Sequence, residues 1–304
     1  MRVFAYLLMR EIWEHKGLWI APLLTAALVL VSALWGAIAL VGSEDALAEI
    51  DQQMGGMLDG QGRALIYATV LTVASVVFAV MLAVIFFYLL DCLYAERKDR
   101  SILFWRSLPV SDARTVLSKL AVSLVVAPAI VLATVLVYLV FHYVLLGSVL
   151  VLGTDLAAGD FFRVGAATGA LVSLTSLMLY AGLWFLPVYG WLLLVSAWAR
   201  RAPFLWAVLV PAGVMIFERI ALGSHEFARM LGGHLAAAFD YRATGWAAED
   251  GSTLITEEGL TETIYTWPIW LDGLSQPALW VGLMIGAAFV TGAVMIRRFR
   301  GETA

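Results

Sequence analysis

The chain has 304 residues, 62% of them hydrophobic and 14% charged, with a formal net charge of −4 and a mean hydropathy of +0.90. A soluble domain is about 45–50% apolar and about 25% charged, so these values exclude an ordinary soluble globule and predict a polytopic helical membrane protein. The single cysteine, Cys92, excludes an intrachain disulfide and a cysteine metal site.

Residues 1–16 carry Arg2, Arg10, Glu11, Glu14 and Lys16. On a helical wheel Ala5, Met9, Ile12 and Trp13 share one face, and Arg10, Glu11, Glu14 and His15 share another. That pattern predicts an interfacial helix feeding the first span. A signal peptide is the rival reading, but the apolar run 17–43 exceeds an h-region of about 7–15 residues. The first span is expected at Leu18–Val41, since roughly 20 apolar residues cross a bilayer. An acidic stretch, 43–63, follows. Leu47, Ile50, Met54 and Leu58 keep helical spacing in it, so part of it is expected on the outer surface. The second span is expected at Leu65–Leu90 and the third at Leu120–Tyr143. A short outer loop at 153–163 leads to a long fourth span, 164–199, in which Pro187 and Gly190 predict a kink. The fifth span is expected at Phe204–Leu222. A large outer segment, 223–277, precedes the sixth span at Ala278–Ile296.

Charge orients these six spans. Arg2, Arg10, Lys16, Arg97, Lys98, Arg100, Arg106, Arg114, Lys119, Arg200, Arg201, Arg297, Arg298 and Arg300 fall on one side. Only Arg63, Arg163, Arg229 and Arg242 fall on the other. Cations mark the cytoplasmic side, so both termini are expected inside and 223–277 outside. Trp267, Trp270 and Trp280 read as interface anchors at the last outer boundary. No repeat and no Gly/Ser-rich linker divides the chain, so one membrane domain is expected over 1–304.

The most informative stretch is the polar island 91–119, DCLYAERKDRSILFWRSLPVSDARTVLSK. The apolar runs on either side, 64–90 and 120–154, hold no charged residue. Its inner part, Ser101-Ile-Leu-Phe-Trp105, is too apolar for a merely solvated connector. Pro109 interrupts it, and Ser111 can cap a new helix with Asp112 in the first turn. The pattern predicts a short helix across the end of the bundle, then re-entry into the membrane.

Glu96-Arg-Lys-Asp-Arg-Ser-Ile-Leu-Phe-Trp-Arg-Ser-Leu-Pro-Val-Ser111, followed by Lys119, resembles the signature of type 2 ATP-binding-cassette exporter permeases. Glu96, Arg97, Ser107, Leu108, Pro109, Ser111 and Lys119 match. Arg100 and Ser101 stand where the family often has Gly-Thr. The match covers about 25 residues; the six spans, the amphipathic start and the long segment before the last span are similar in layout. The resemblance implies that 91–119 carries a coupling helix docked on a separate ATPase subunit. Glu96, Arg97, Arg100, Ile102, Leu103, Phe104, Trp105 and Arg106 would make the contact. It further implies a second permease copy, in a homodimer or a heterodimer, and alternating access. Location in a bacterial cytoplasmic (inner) membrane is also implied, with ATP and Mg bound by the partner subunit. This chain's lysines, Lys16, Lys98 and Lys119, form no Gly-x-x-x-x-Gly-Lys loop, so no cofactor site of its own and no ATP hydrolysis are expected on it. Nucleic acid is not among the expected partners.

Other constellations are weaker. Glu218-Arg219 lies in the fifth span, where charge is costly; it is expected either to anchor at the outer interface or to serve as a gate or substrate contact. Being adjacent on a helix, the two should not pair with each other. His225-Glu226 lacks a second histidine at the zinc-binding spacing, and His234 falls on the opposite face, so a solvated outer helix is expected instead of a metal site. Phe227, Met230, Leu231 and Leu235 would rest it on the membrane. No nucleophile–base–acid set is present to suggest an intramembrane enzyme. An ion-coupled secondary transporter is the alternative reading; it would need buried carboxylates or broken helices at the midplane.

Overall fold

The computed structural model describes residues 2–41, 61–102, 110–153, 164–239 and 273–300. Leu103, Phe104, Trp105 and Arg106 of the expected coupling helix lie outside the described residues. So do most of the outer segments, with Trp267 and Trp270. Among the described residues every regular element is helical, and six helices are long and apolar enough to cross a membrane. The protein is an all-α polytopic membrane protein.

An N-terminal helix, Arg2–Glu14, meets the first span, Gly17–Val41, at a sharp turn. The second span, Gln61–Lys98, continues as helix well past the apolar run. Its end is set by Arg100, whose φ of 57° is left-handed and stops the helix as a glycine would. The third span begins at Asp112, not at Leu120. Ser111 is its N-cap in extended conformation, and the Ser111 hydroxyl accepts from the Arg114 N–H. It passes through a π-helical segment, Val122–Val126, and continues as Ala127–Gly153. Asp91–Lys98 and Asp112–Lys119 of the polar island are therefore extensions of the second- and third-span helices. The fourth span, Val164–Trp198, runs unbroken through Pro187. The fifth, Pro203–Ala221, starts one turn later, after Ala202 at φ 46°. A shorter helix, Glu226–Ala237, follows it, and the sixth span is Pro277–Arg300.

The second and fourth spans form the middle of the bundle. Val77, Met81 and Ile85 of the second, and Leu174, Met178, Trp184 and Leu193 of the fourth, are buried in one continuous core. The fourth packs most closely on the sixth. Glycine makes this possible: a Cβ on Gly190 would stand 2.7 Å from the Gly286 carbonyl oxygen, and one on Gly286 would stand 2.9 Å from the Leu186 backbone. Gly190 thus serves close packing of helix backbones, the use small residues have in membrane bundles. The first and fifth spans are peripheral. Leu24, Leu28, Val31 and Trp35 form an exposed stripe on the first, and Leu209, Ile216, Phe217 and Ile220 are exposed on the fifth. Side chains of this kind belong against lipid.

Candidate functional site at the charged end of the bundle

Lys119 lies about two turns into the third-span helix, because that helix starts at Ser111. Its ammonium is buried and therefore requires partners. It has two: Nζ donates to Glu11 Oε1 at 2.9 Å and lies 3.0 Å from Glu96 Oε1. Arg10 bridges the same two carboxylates, with Nη2 donating to Glu11 Oε1 at 2.7 Å and to Glu96 Oε1 at 2.8 Å. The other Glu96 oxygen accepts from Arg297 Nη1 at 2.5 Å, and Arg297 Nε donates to Asp112 Oδ1 at 2.9 Å. The Tyr88 hydroxyl donates to Glu11 Oε2 at 2.9 Å.

Arg10 Nε also lies 3.2 Å from Glu14 Oε2, so three cations and four carboxylates close on one another. They come from the N-terminal helix, the second-span end, the third-span start and the sixth-span end. The fourth span joins beside them: Arg97 Nη2 donates to the Ser196 carbonyl at 2.5 Å and the Ala199 carbonyl at 2.8 Å. Those carbonyls are the negative end of the fourth-span helix, where a cation is favoured. Glu96 and Asp112 are the points where the polar island leaves and re-enters the helices, so the cluster clasps both ends of the intervening segment.

Electrostatics hold the clasp charged. Burial pushes the Glu11 carboxyl up, but Lys119 and then Arg10 outweigh it and keep Glu11 below the usual carboxylate range. His15 packs edge-on against Tyr88, ring centroids 4.8 Å apart. Burial lowers its pKa, with Glu11 opposing the shift. Among the described residues, donor atoms of Glu11, Glu14 and His15 lie within 4.8 Å of one another, a spacing a metal ion could use. Both Glu11 oxygens are already engaged, Oε1 by Lys119 and Arg10 and Oε2 by the Tyr88 hydroxyl, so an ion there would compete with partners within the chain.

The residues singled out in the sequence fall in different places. Glu96 is buried in the clasp and Arg97 is bound to the fourth span, so both face inward. Ile102 is buried; Lys98, Asp99 and Arg100 are the exposed residues of this stretch. Glu11 and Arg297 were not singled out as site residues, and Glu11 was grouped with the polar face of an interfacial helix. The structure turns that face onto the bundle instead, leaving Val3, Tyr6, Met9 and Trp13 exposed.

At the opposite end, Glu218 and Arg219 point to different partners. The Glu218 carboxylate accepts from Ser224 Oγ at 2.6 Å, Glu226 N at 2.6 Å and Phe227 N at 2.9 Å. It caps the helix Glu226–Ala237, supplying the acceptor that His225 at the N-cap position does not. Arg219 Nη1 donates to His225 Nε2 at 2.5 Å; a guanidinium has no acceptor, so this histidine nitrogen carries none of the shared protons. His234 departs from the expected solvated helix. Its Nε2 donates to the Trp184 carbonyl at 2.8 Å, and its ring lies against Gly282 of the sixth span. The missing side chain of Gly282 is what admits the ring. No protein family, curated protein or solved structure matches the chain.

Proposed function

We propose that the protein is the membrane-spanning permease subunit of an ATP-binding-cassette exporter, working as a pair of copies in a bacterial inner membrane, with its charged end cytoplasmic. Hydrolysis would take place on a separate ATPase docked beneath the polar island. The observation that carries this reading is the clasp. A loop meant to pass force from a docked motor must be fastened to the helices it moves. Glu96 ties the island's entry to the N-terminal helix through Arg10, to the third span through Lys119 and to the sixth through Arg297.

A second observation supports the family resemblance. Arg100 takes the left-handed backbone at the position where the family often has glycine, the residue that adopts this conformation without steric cost. The exposed Lys98, Asp99 and Arg100, with the apolar run through Trp105, supply the charged rim and apolar anchor common at interaction hot spots. Coexpression with the ATP-binding-cassette ATPases of its own genome tests the proposal. One of them should copurify, and Trp105→Ala should weaken that complex by about thirtyfold, the effect of losing about 2 kcal/mol at a hot spot. Lack of binding by any of these ATPases, or unaltered binding by Trp105→Ala, would refute docking at the island. Sustained ATP turnover by the isolated chain would refute the division of labour.

A further inference from the structure

Between the start of the third span and the end of the sixth lies a pocket of about 300 Å³, lined by Val110, Ser111, Asp112, Thr115, Arg297 and Arg298 among others. Two arginines face one aspartate there, and Asp112 is already held by Arg297 Nε at 2.9 Å. The flanks of the pocket are apolar in a particular way. On the third span, exposed Arg114 stands above exposed Leu117 (46%) and Val125 (64%) at helical spacing. On the sixth, exposed Arg298 stands above exposed Met295 (55%) and Thr291. Each helix therefore presents exposed apolar side chains beside the pocket, and on the sixth span they lead up to Arg298, which lines it.

We infer that this pocket holds the phosphate-bearing headgroup of an anionic phospholipid, with the acyl chains lying along those apolar side chains. Basic pockets between membrane helices are recognised settings for anionic headgroups. Arg298 supplies attraction to the phosphodiester, and Ser111 lines the side of the pocket that meets the headgroup's polar part. The Asp112 carboxylate would repel an anion, and its pairing with Arg297 offsets that. The volume admits a headgroup and excludes the chains, which fits a lipid better than a peptide.

The purified chain in detergent would be analysed by native mass spectrometry with phosphatidylglycerol and phosphatidylcholine of equal chain length. Phosphatidylglycerol should be retained selectively. Arg298→Gln should weaken retention about fivefold, the effect of one arginine near an anionic lipid surface, and Arg298→Glu should weaken it further. Arg201→Gln, at an exposed cation away from the pocket, should leave retention unchanged. Variants are compared only after equal melting behaviour has been established, and having two pocket variants covers the failure of one to fold. Equal retention of both lipids, or equal losses in Arg201→Gln and the pocket variants, would overturn the site. Displacement of the lipid by inorganic phosphate at matching concentration would assign the pocket to free phosphate and overturn the lipid.

Discussion

Replacing Lys119 with methionine tests the clasp most directly. The side chain is buried, its ammonium 2.9 Å from Glu11 and 3.0 Å from Glu96. Methionine keeps most of the apolar stem and removes the charge, so packing changes little. What remains is Glu11, Glu96 and Asp112, with the more exposed Glu14, facing Arg10 and Arg297 alone. Breaking a buried ion pair by removing one partner costs about 3–5 kcal/mol, because the surviving charge stays desolvated. For a chain of this size that is a fall in melting temperature on the order of 10 °C. The assay is thermal melting in nanodiscs, followed by tryptophan fluorescence. Glu11→Gln combined with Lys119→Met restores the wild-type charge balance, and a glutamine amide oxygen can still accept from Tyr88. The double variant should therefore be more stable than the sum of the single losses predicts, by about 0.5–3 kcal/mol of coupling. Strict additivity, or a Lys119→Met protein that melts with the wild type, would refute the mutual pairing on which the clasp rests.

Acid should loosen the same region in two stages. His15 has a folded pKa below its unfolded value of about 6.5, so its contribution is complete above that pH and is lost as pH falls towards the folded value. Glu11 is also depressed, so its contribution is lost only as pH falls below the usual carboxylate range. Melting temperature should decline between pH 7 and 5 in the wild type, and His15→Gln should flatten that decline; identical pH profiles would count against it. Gly190→Ala should destabilise by about 1–3 kcal/mol through overpacking on Gly286, whereas Gly213→Ala, whose Cβ would meet nothing within 4 Å, should be tolerated; equal melting temperatures would contradict the glycine contact. In a Cys92→Ser background, an impermeant thiol reagent on intact cells should label a cysteine at exposed Gly232 and spare one at exposed Arg201. The reverse pattern would invert the topology.

Span number and order were legible because each apolar run is long and each break is charged. Span starts were less so, for an identifiable reason. Hydropathy places the third span at Leu120, where the charges stop, while Ser111 caps the helix nine residues earlier. That difference carries Lys119 from the surface to the interior and turns an ordinary loop lysine into a buried cation that demands partners. The partners themselves could not be read along the chain. Lys119 reaches Glu11 across 108 positions and Arg297 reaches Glu96 across 201. One signal was available: acidic and basic residues recur at the charged ends of several spans, and such residues at one depth can neutralise one another. The orientation of the N-terminal helix could not be read, because amphipathicity gives two faces without saying which meets protein. Glu11 belongs with the bundle because Lys119 is there to receive it.

The same cluster bears on the rival reading, an ion-coupled transporter. The described residues do hold three buried carboxylates, Glu11, Glu96 and Glu218, which that mechanism would require. Their position and pairing argue the other way. Glu11 and Glu96 sit at the arginine-rich end, and every one of their oxygens already accepts from a cation or hydroxyl of the chain; Glu218 is taken up in capping Glu226–Ala237. A coupling ion binds where the protein leaves negative charge uncompensated; here Glu11 and Glu96 are each held by two or more cations of the chain. Charge held in this way resists titration and exchange, and it resists separation of the helices that carry it. The consequence is mechanical: displacement of the island at Glu96 or Asp112 has to move the N-terminal helix and the third and sixth spans with it, or break ion pairs that are costly to break without water.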